Sequence, residues 1–214
     1  LIILDGIGIG KQDESDGVYL AHTPCLDTLM KSKLYTTLKA HGTSVGMPTD
    51  DDMGNSEVGH NALGAGRVFA QGATLVNDSI KHEKIFETDV WKRLVGQAKP
   101  HTLHFIGLLS DGNVHSHIDH LFSMLEHAAK EGVRKARVHV LLDGRDVYEK
   151  SAPKYIEKTE KFLQSLNEKY KVDFKIASGG GRMITTMDRY NADWTIVKRG
   201  WDTHVLGKGR QFAS

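Results

Sequence analysis

The sequence predicts an α/β fold, in which helices pack against a mainly parallel sheet. Two observations lead to this prediction. Short apolar runs, typical of strands buried on both faces, recur along the chain, and segments with apolar residues at helical spacing lie between them. A strand, a helix and a second strand in succession form a βαβ unit with two parallel strands and a right-handed crossover. Such alternation is the pattern of α/β proteins.

The first predicted elements lie near the N-terminus. The run Leu1–Leu4 is expected to form a buried strand, and it is followed at once by Asp5 and Gly6. The Asp5 carboxylate would then lie at the carboxyl edge of the sheet, where open α/β sheets bind ligands. Thr23-Pro24 indicates the start of a helix, with threonine as the N-cap and proline in the first turn.

The later elements form the predicted βαβ arrangement. Strands are expected over three apolar runs, at 102–109, 137–142 and 173–177. A helix is predicted between the first two, because apolar residues recur there at helical spacing from Leu121 to Ala128. Gly132 is well placed to end that helix, and Ser151-Ala-Pro153 is expected to begin another one before the last strand.

A stretch rich in glycine and alanine, at 65–73, predicts a domain boundary. We expect residues 1–70 to be the N-terminal part of one domain. Residues 71–214 would form a second domain that is incomplete at its C-terminal end. Because an apolar strand is predicted from the first residue, which is not methionine, we expect the chain to be part of a longer protein.

The composition is that of an ordinary globular protein, with 39% hydrophobic residues, 26% charged residues and a net charge of +1. This charge balance argues against a nucleic-acid-binding protein, and no run is long enough to span a membrane. A single cysteine, Cys25, excludes an internal disulfide framework. We therefore expect a cytoplasmic protein that acts on a small molecule.

Ser56 is the first candidate catalytic residue. It follows Gly54 and Asn55 and precedes a plausible helical turn, so that its hydroxyl would lie in the positive field of a helix N-terminus. The alternative is an ordinary N-cap, a common role for serine. The nucleophile elbow of α/β-hydrolases is excluded, because it requires glycine where Val58 stands.

Asp5 is a candidate metal ligand. An aspartate after a strand is commonly a turn residue, which is the alternative interpretation. Together with the Ser56 hydroxyl, however, a carboxylate at a strand end makes a suitable ligand pair for a hard or borderline divalent cation.

Several histidines follow the 102–109 strand, in Ser110-Asp-Gly-Asn-Val-His-Ser-His117 and the helix behind it. Their spacing matches no structural zinc site, and no cysteine assists them. His117 and His120 are interpreted as ordinary solvated helix residues. His115 is the better candidate for binding, because it lies in a glycine-containing loop after a strand.

Two further segments carry arginines that could bind an anion. Arg145 and Asp146 follow the 137–142 strand, although a weak surface ion pair is the alternative. Arg182 follows three glycines, and Arg189 lies seven residues on, so that both guanidinium groups could bind one phosphate or carboxylate. The glycines could also form a flexible turn. The segment is no Walker loop, because Lys-Ser/Thr does not follow at the required spacing.

Taken in order, these motifs resemble the cofactor-independent phosphoglycerate mutases. Three of them are similar to the alkaline-phosphatase-like catalytic domain of that family: Leu-Asp-Gly at 4–6, Met-Gly-Asn-Ser-Glu-Val-Gly-His at 53–60 and Gly-Ala-Gly-Arg at 64–67. Three others resemble its inserted α/β transferase domain: Ser-Asp-Gly-x-Val-His-Ser-His at 110–117, Leu-Asp-Gly-Arg-Asp at 142–146, and Gly-Gly-Arg with Met-Asp-Arg at 180–189. The Gly-Gly-Gly-Arg-Met form is more similar to the plant and protozoan branch. Asn113 is a departure, since many members carry glycine there.

The resemblance implies interconversion of 3-phosphoglycerate and 2-phosphoglycerate through a phosphoserine intermediate, by a monomeric enzyme. Ser56 would be the nucleophile and a metal ligand, and Asp5 a second metal ligand. Substrate would contact five residues: His115, Arg145, Asp146, Arg182 and Arg189. Asp146 is in addition a candidate base. Two divalent ions are implied, Mn²⁺ first and Mg²⁺ or Co²⁺ as alternatives, with no requirement for 2,3-bisphosphoglycerate.

The resemblance also implies that the chain is too short to be active by itself, since members of the family are more than twice as long. The remaining metal ligands, a second arginine pair and a substrate lysine would lie beyond Ser214. Two other functions stay open at this point: a different metal-dependent phosphomutase or phosphomonoesterase on the same scaffold, and an inactive phosphate-binding fragment.

Overall fold

The computed structural model describes residues 1–5, 7–187, 191 and 193–212. Its centre is a sheet of three parallel strands in the order β1-β2-β3: Leu103–Leu109, Lys135–Leu142 and Asp173–Gly181. All three strands were predicted from their apolar runs, although β3 continues four residues further than expected. The α/β class and the βαβ unit are thereby confirmed.

The strands are connected by helices that lie between them in sequence. Helix α7, Ile118–Lys130, joins β1 to β2, and helix α8, Ala152–Tyr170, joins β2 to β3. Gly132 follows α7 with φ of 96°, a left-handed conformation that glycine adopts without strain, as expected for the end of a helix. Ser151 precedes α8, so the predicted start of this helix is also confirmed.

The sheet has one face in the hydrophobic core and one face that is much more open. The core is built from the inward side chains of the strands together with α7, α8 and α6, Asp89–Ala98. On β2 the buried residues Ala136, Val138 and Val140 alternate with more exposed ones, which is the two-residue period of a strand. On the open face Ile106 is 63% exposed. A bulge between Val138 and His139 shifts the register with β3.

Short helices make up the remainder. Those before β1 are α1 to α5, at Gly17–Leu20, Pro24–Met30, Ser56–Ala65, Gly72–Lys81 and Lys84–Glu87, with a 3₁₀ helix at Gly42–Val45. Those after β3 are α9, Arg182–Thr185, and α10, Trp194–His204. The predicted helix start at Thr23-Pro24 is confirmed by α2. A small separate cluster of Val45, Met47 and Val58 packs with Ala73.

The strand predicted at Leu1–Leu4 is wrong for this chain. These residues form no regular element and are exposed, Leu1 and Ile2 almost completely, at 104% and 88%. The physical reason is the lack of a partner, because a buried parallel strand needs hydrogen-bonded neighbours on its edges. Within the described residues the three paired strands all belong to the sheet that begins at Leu103.

Candidate active site

Polar residues follow each of the three strands at the carboxyl edge of the sheet. Ser110 follows β1, Asp143 follows β2 and Arg182 follows β3. Parallel strands all end at the same edge, which is where open α/β sheets bind ligands. Three motifs that are far apart in the sequence are therefore brought together by the sheet.

Arg182 is buried, with 1% of its surface exposed. Its Nη2 atom lies 2.8 Å from Oδ2 of Asp146 and 3.7 Å from Oδ1 of Asp143. The closer contact is an ion pair that is not aligned as a hydrogen bond, so within the described residues no guanidinium nitrogen of Arg182 has an acceptor. Buried donors without acceptors are costly, and a guanidinium group binds carboxylate and phosphate in a bidentate way. An anionic ligand would satisfy these donors.

Asp143 holds the loops after β1 and β2 together. Its Oδ2 atom accepts a hydrogen bond from Oγ of Ser110 at 2.7 Å. Its Oδ1 atom accepts from three successive backbone N–H groups, those of Gly144, Arg145 and Asp146, at 2.9, 3.0 and 3.1 Å. Burial alone would raise the pKa of Asp143, but these hydrogen bonds and the charge of Arg182 outweigh burial and lower the pKa. Asp143 is thus a structural carboxylate of the site.

Asp146 lies between a buried cation and an exposed imidazole. The Oδ2 atom that faces Arg182 is also 3.7 Å from Nε2 of His115. The side chain of His115 is 57% exposed, and that of Asp146 is 17% exposed. Three of the residues predicted to contact substrate therefore lie together, with His115 on the solvent side and Arg182 on the inner side.

The loop that carries His115 is closed and fits tightly against the loop after β2. The N–H of Ile118 donates to the carbonyl oxygen of Ser110 at 2.8 Å, which joins the two ends of the loop. A Cβ atom on Gly112 would lie 3.1 Å from the carbonyl oxygen of Asp146 and 3.2 Å from Val147. Glycine at this position therefore permits the close approach of the two loops.

A further contact anchors the same loop to the first turn of α8. The hydroxyl of Tyr155 donates to Oδ1 of Asp111 at 2.5 Å, and Nζ of Lys154 is 3.5 Å from Oδ2. Burial, and after it the bond with Asp111, raise the pKa of Tyr155 to about 12. Asp111, Tyr155 and Asp143 were not predicted as site residues from the sequence. Asp111 and Asp143 stand in the recognised motifs, but the position of Tyr155 depends on where α8 begins.

Of the two other arginines of the predicted site, only Arg145 is among the described residues. Arg145 is exposed on the loop after β2, two residues beyond Asp143. Arg189 lies outside the described residues, so its predicted role in binding substrate stays a prediction.

Ser56 is the first residue of α3, as the sequence predicted. The N-cap is Asn55, whose Oδ1 accepts from the N–H of Val58 at 3.0 Å, so that Ser56 is not needed for capping. Ser56 is exposed, and its Oγ lies 3.2 Å from Nδ1 of His60. The same nitrogen is 2.7 Å from the carbonyl oxygen of Ser56, which makes it a donor to the backbone in that contact.

The chain leading to Ser56 is fixed by Gly54. A Cβ atom on Gly54 would lie 2.0 Å from the carbonyl oxygen of Ala40, a distance that no side chain tolerates. The serine is thus presented by a backbone that packs directly against another segment of the chain.

Asp5 and Ser56 do not by themselves make a metal site. Asp5 is exposed, and it forms no hydrogen bond or ion pair with the other described residues. Within the described residues no three His, Cys, Asp or Glu side chains are grouped so that they could hold a metal ion. Two oxygen donors suit a hard cation but leave most of its coordination open. The assignment of these two residues as metal ligands stays a prediction.

The other histidines of this region have structural partners. Nδ1 of His117 accepts from the N–H of Asp119 at the start of α7, and His120 is hydrogen bonded to Asn77. Both residues are half-buried, and His117 is the N-cap of α7, so the prediction of solvated residues is wrong; their contacts are those of structural residues.

Comparison with known proteins identifies the family. The family model for the N-terminus of BPG-independent PGAM matches residues 76–214. A 2,3-bisphosphoglycerate-independent phosphoglycerate mutase of Trypanosoma brucei brucei is 53% identical over the whole chain, which covers 39% of that protein. The corresponding protein of Ricinus communis is 51% identical over 97% of the chain, which covers 38% of it. Protozoan and plant relatives are thus both represented.

A solved structure is also similar. A crystal structure of Leishmania mexicana phosphoglycerate mutase at low cobalt concentration superposes with a TM-score of 0.90 and 50% identity, over 99% of this chain and 39% of that one. The chain therefore spans about two fifths of the length of the proteins that it matches. Among the described residues, no helix combines the length and the apolar character needed to cross a membrane.

Proposed function

Because this chain belongs to the family of BPG-independent phosphoglycerate mutases, we propose that the full-length protein interconverts 3-phosphoglycerate and 2-phosphoglycerate. The observation that carries this proposal is Arg182, a buried guanidinium group whose donors have no acceptor among the described residues. It lies at the carboxyl edge of the sheet beside Asp146, which is itself close to His115. Phosphoglycerate carries a carboxylate and a phosphate, the two groups that a guanidinium binds in a bidentate way.

In the proposed arrangement, substrate brings a negative group next to Arg182. Asp143 and Asp146 already outnumber Arg182, so an anionic substrate needs further cations. Arg145 is exposed on the adjoining loop and is able to turn toward the ligand. We assign the second additional cation to Arg189.

Asp146 is the proposed base. It accepts no hydrogen bond from a described residue at Oδ2, and that oxygen faces both the substrate-side His115 and the inner Arg182. A carboxylate in this position can accept the proton of a glycerate hydroxyl when that hydroxyl attacks a phosphoryl group. Nη2 of Arg182, 2.8 Å from Oδ2, holds the Asp146 side chain in place by charge attraction.

Ser56 is the proposed nucleophile, and phosphoserine the proposed intermediate. As the first residue of α3 it lies where unpaired backbone N–H groups and the helix dipole favour an anion. Its hydroxyl is exposed and is not used for capping, so it is free to react. Transfer of a phosphoryl group from serine to either glycerate hydroxyl would give the two isomers without added 2,3-bisphosphoglycerate.

We propose that two divalent metal ions, Mn²⁺ by preference, take part. Asp5 and Ser56 are the ligands that this chain would supply, and the others would come from the part of the relatives that the chain does not span. A divalent ion bound by the serine oxygen lowers the pKa of the hydroxyl and balances the charge of the phosphoryl group. The protein is proposed to be a cytoplasmic monomer with a small-molecule substrate as its partner.

The experiment is to incubate the full-length protein with phosphoglycerate labelled in the phosphoryl group, quench it with acid and map the labelled peptide. We expect the label on Ser56, and none in Ser56→Ala. Label on a histidine would contradict the mechanism. In a parallel assay without 2,3-bisphosphoglycerate, removal of divalent metal by a chelator is expected to abolish turnover, and adding Mn²⁺ should restore it.

A further inference from the structure

We propose that Asn113 and Asp52 form a positioning pair, which fixes the loop carrying His115 against the segment that leads to Ser56. Nδ2 of Asn113 donates a hydrogen bond to Oδ1 of Asp52 at 2.8 Å. The inference rests on the proposed function, because the side chains that the pair positions are those proposed to transfer the phosphoryl group.

The contact joins residues 1–70 to residues 71–214, and few other hydrogen bonds connect these two parts of the chain. Within the described residues, the other hydrogen bonds between residues 1–70 and 71–214 come from the N–H of Gln71 and the hydroxyl of Thr74, both to the carbonyl oxygen of Gly46. Those two lie next to the predicted boundary. Asn113 instead reaches the loop at the carboxyl edge of the sheet, 61 residues from Asp52.

Position 113 combines a left-handed backbone with a buried side chain, and asparagine suits both. Its φ is 56°, in the left-handed region where asparagine is much better tolerated than most residues with a side chain. Only 8% of Asn113 is exposed, so its amide needs a hydrogen-bond partner. Glycine would satisfy the backbone but could not donate to Asp52.

Asp52 is held firmly on its own side. Its Oδ2 atom accepts from the N–H and the hydroxyl of Thr49, at 2.7 and 2.8 Å, and its carbonyl oxygen accepts from the N–H of Gly42 at 3.0 Å. Oδ1 is thus the oxygen left for Asn113. Since Ser56 follows four residues after Asp52 and His115 two residues after Asn113, a shift at this contact would change the distance between nucleophile and substrate loop.

The test is an exchange of donor and acceptor in the full-length protein. Asn113→Asp keeps a side chain that tolerates the left-handed backbone but places a second carboxylate against Asp52. The double variant Asn113→Asp/Asp52→Asn restores the bond, because the new amide nitrogen can replace Oδ1 as donor while its oxygen still accepts from Thr49. Lys171→Gly is the matched control, since Lys171 is exposed and also has a left-handed φ, of 55°.

We expect Asn113→Asp to lower kcat by tenfold or more, since a misplacement of about 1 Å can cost about 10²-fold in rate. The KM for 3-phosphoglycerate should change less, the double variant should recover most of the rate, and Lys171→Gly should match the wild type. An unchanged kcat in Asn113→Asp, or no recovery in the double variant, would overturn the proposal.

Amide hydrogen exchange separates this proposal from the proposed function. We expect faster exchange in both 52–60 and 111–117 for Asn113→Asp, and a return to wild-type exchange in the double variant. If the wild-type protein has no mutase activity, the proposed function fails. The proposed positioning pair is then tested by amide hydrogen exchange alone, and unchanged exchange in the two segments overturns it.

Discussion

Arg182 carries a positive charge in a position that is almost closed to solvent. Its two neighbouring carboxylates differ in the hydrogen bonds that they already accept. Asp143 already accepts four hydrogen bonds from the two loops, so its charge is shared with them. Asp146 faces Arg182 without an aligned hydrogen bond. The guanidinium group is therefore held by charge, and its nitrogens have no hydrogen-bond acceptor among the described residues.

Replacing Arg182 with lysine should separate binding from folding. Lysine keeps the charge beside Asp143 and Asp146 but cannot bind an anion in a bidentate way. Since a hydrogen bond to a charged group contributes about 1.5–3 kcal/mol, we expect the KM for 3-phosphoglycerate to rise by about tenfold or more, with little change in Tm. Kinetics and thermal unfolding of the full-length protein measure both.

Two further variants complete that experiment. Arg182→Ala leaves buried carboxylates without their cation, so it should also lower the free energy of unfolding, by about 3–5 kcal/mol. Arg134→Lys is the control, because Arg134 is exposed just before β2, at the opposite end of the strand. If Arg182→Lys leaves the KM unchanged, Arg182 is a structural residue.

Gly54 gives a prediction about the nucleophile. In Gly54→Ala the added Cβ would meet the carbonyl oxygen of Ala40 at 2.0 Å, so the backbone before Ser56 has to move. We expect a loss of roughly 1–3 kcal/mol in the free energy of unfolding, the usual cost of overpacking, together with a lower kcat. Denaturant unfolding and the mutase assay are the measurements.

Gly96→Ala is the matched control for that variant. Gly96 lies inside α6, is exposed, and has open space around the position of a new Cβ. It should stabilise the protein by about 0.5–1 kcal/mol, because alanine favours a helix over glycine by that amount. Equal stability of the two alanine variants would contradict the close packing at Gly54.

At the scale of elements, the open face of the sheet carries a chain of hydrogen bonds across all three strands. His104 on β1 is 2.9 Å from His139 on β2, and His139 is 2.6 Å from the hydroxyl of Ser178 on β3. That hydroxyl is 2.7 Å from Nδ1 of His204 on α10. Three imidazole rings and one hydroxyl thus link α10 to the sheet.

These contacts predict an acid-sensitive sheet. Burial, and after it the charge of His104, lower the pKa of His139, and burial lowers the pKa of His204. The unfolded chain takes up protons below about pH 6.5, before the folded protein does. The stability contributed by the neutral rings is therefore present above about pH 6.5 and is lost as the pH falls through the lower pKa values of the folded protein.

The measurement is denaturant unfolding of the full-length protein between pH 7.5 and 5. We expect the free energy of unfolding to fall less steeply with acidification in His139→Gln than in the wild type. His101→Gln is the control, because His101 is exposed and lies outside this chain of hydrogen bonds. The same slope in all three proteins would contradict the prediction.

Elements were predicted where local pattern and tertiary environment agree. The strands ending at Leu109 and Leu142 and the helix between them could be predicted from apolar periodicity, because the apolar residues of that pattern are the ones that pack in the core. Leu1–Leu4 has the same kind of pattern but no strand beside it. A strand is defined by its neighbours, so periodicity alone could not predict its state in this chain.

The candidate site was predictable to the same extent. His115, Asp146 and Arg182 follow strands that were recognised, and parallel strands end together, so their proximity followed from the topology. The contacts of Asp111 with Tyr155 and of Asn113 with Asp52 did not follow, because they join elements whose relative placement depends on packing of the whole chain.

At the scale of the whole molecule, the two parts of the chain differ in how much core they contain. Residues 71–214 include the sheet and a large continuous hydrophobic cluster. Residues 1–70 contribute Val45, Met47 and Val58 to a small cluster, while apolar side chains such as Leu1 and Leu34 are exposed, at 104% and 94%. The described residues of 1–70 therefore bury little apolar surface of their own.

We expect residues 1–214, produced alone, to have no mutase activity, although residues 71–214 should retain structure and bind phosphoglycerate weakly. A serine activated by metal needs a complete set of ligands on each of two cations, which lie about 3.5–4 Å apart in two-metal sites. The described residues contain no group of ligands that could hold such an ion.

The test compares the chain alone with the full-length protein in the presence of Mn²⁺. Amide exchange should show protected strands β1 to β3 and rapid exchange at 1–35, because none of the described residues in that segment is buried. Turnover by residues 1–214 alone would mean that the ligands of the metal site are wrongly assigned.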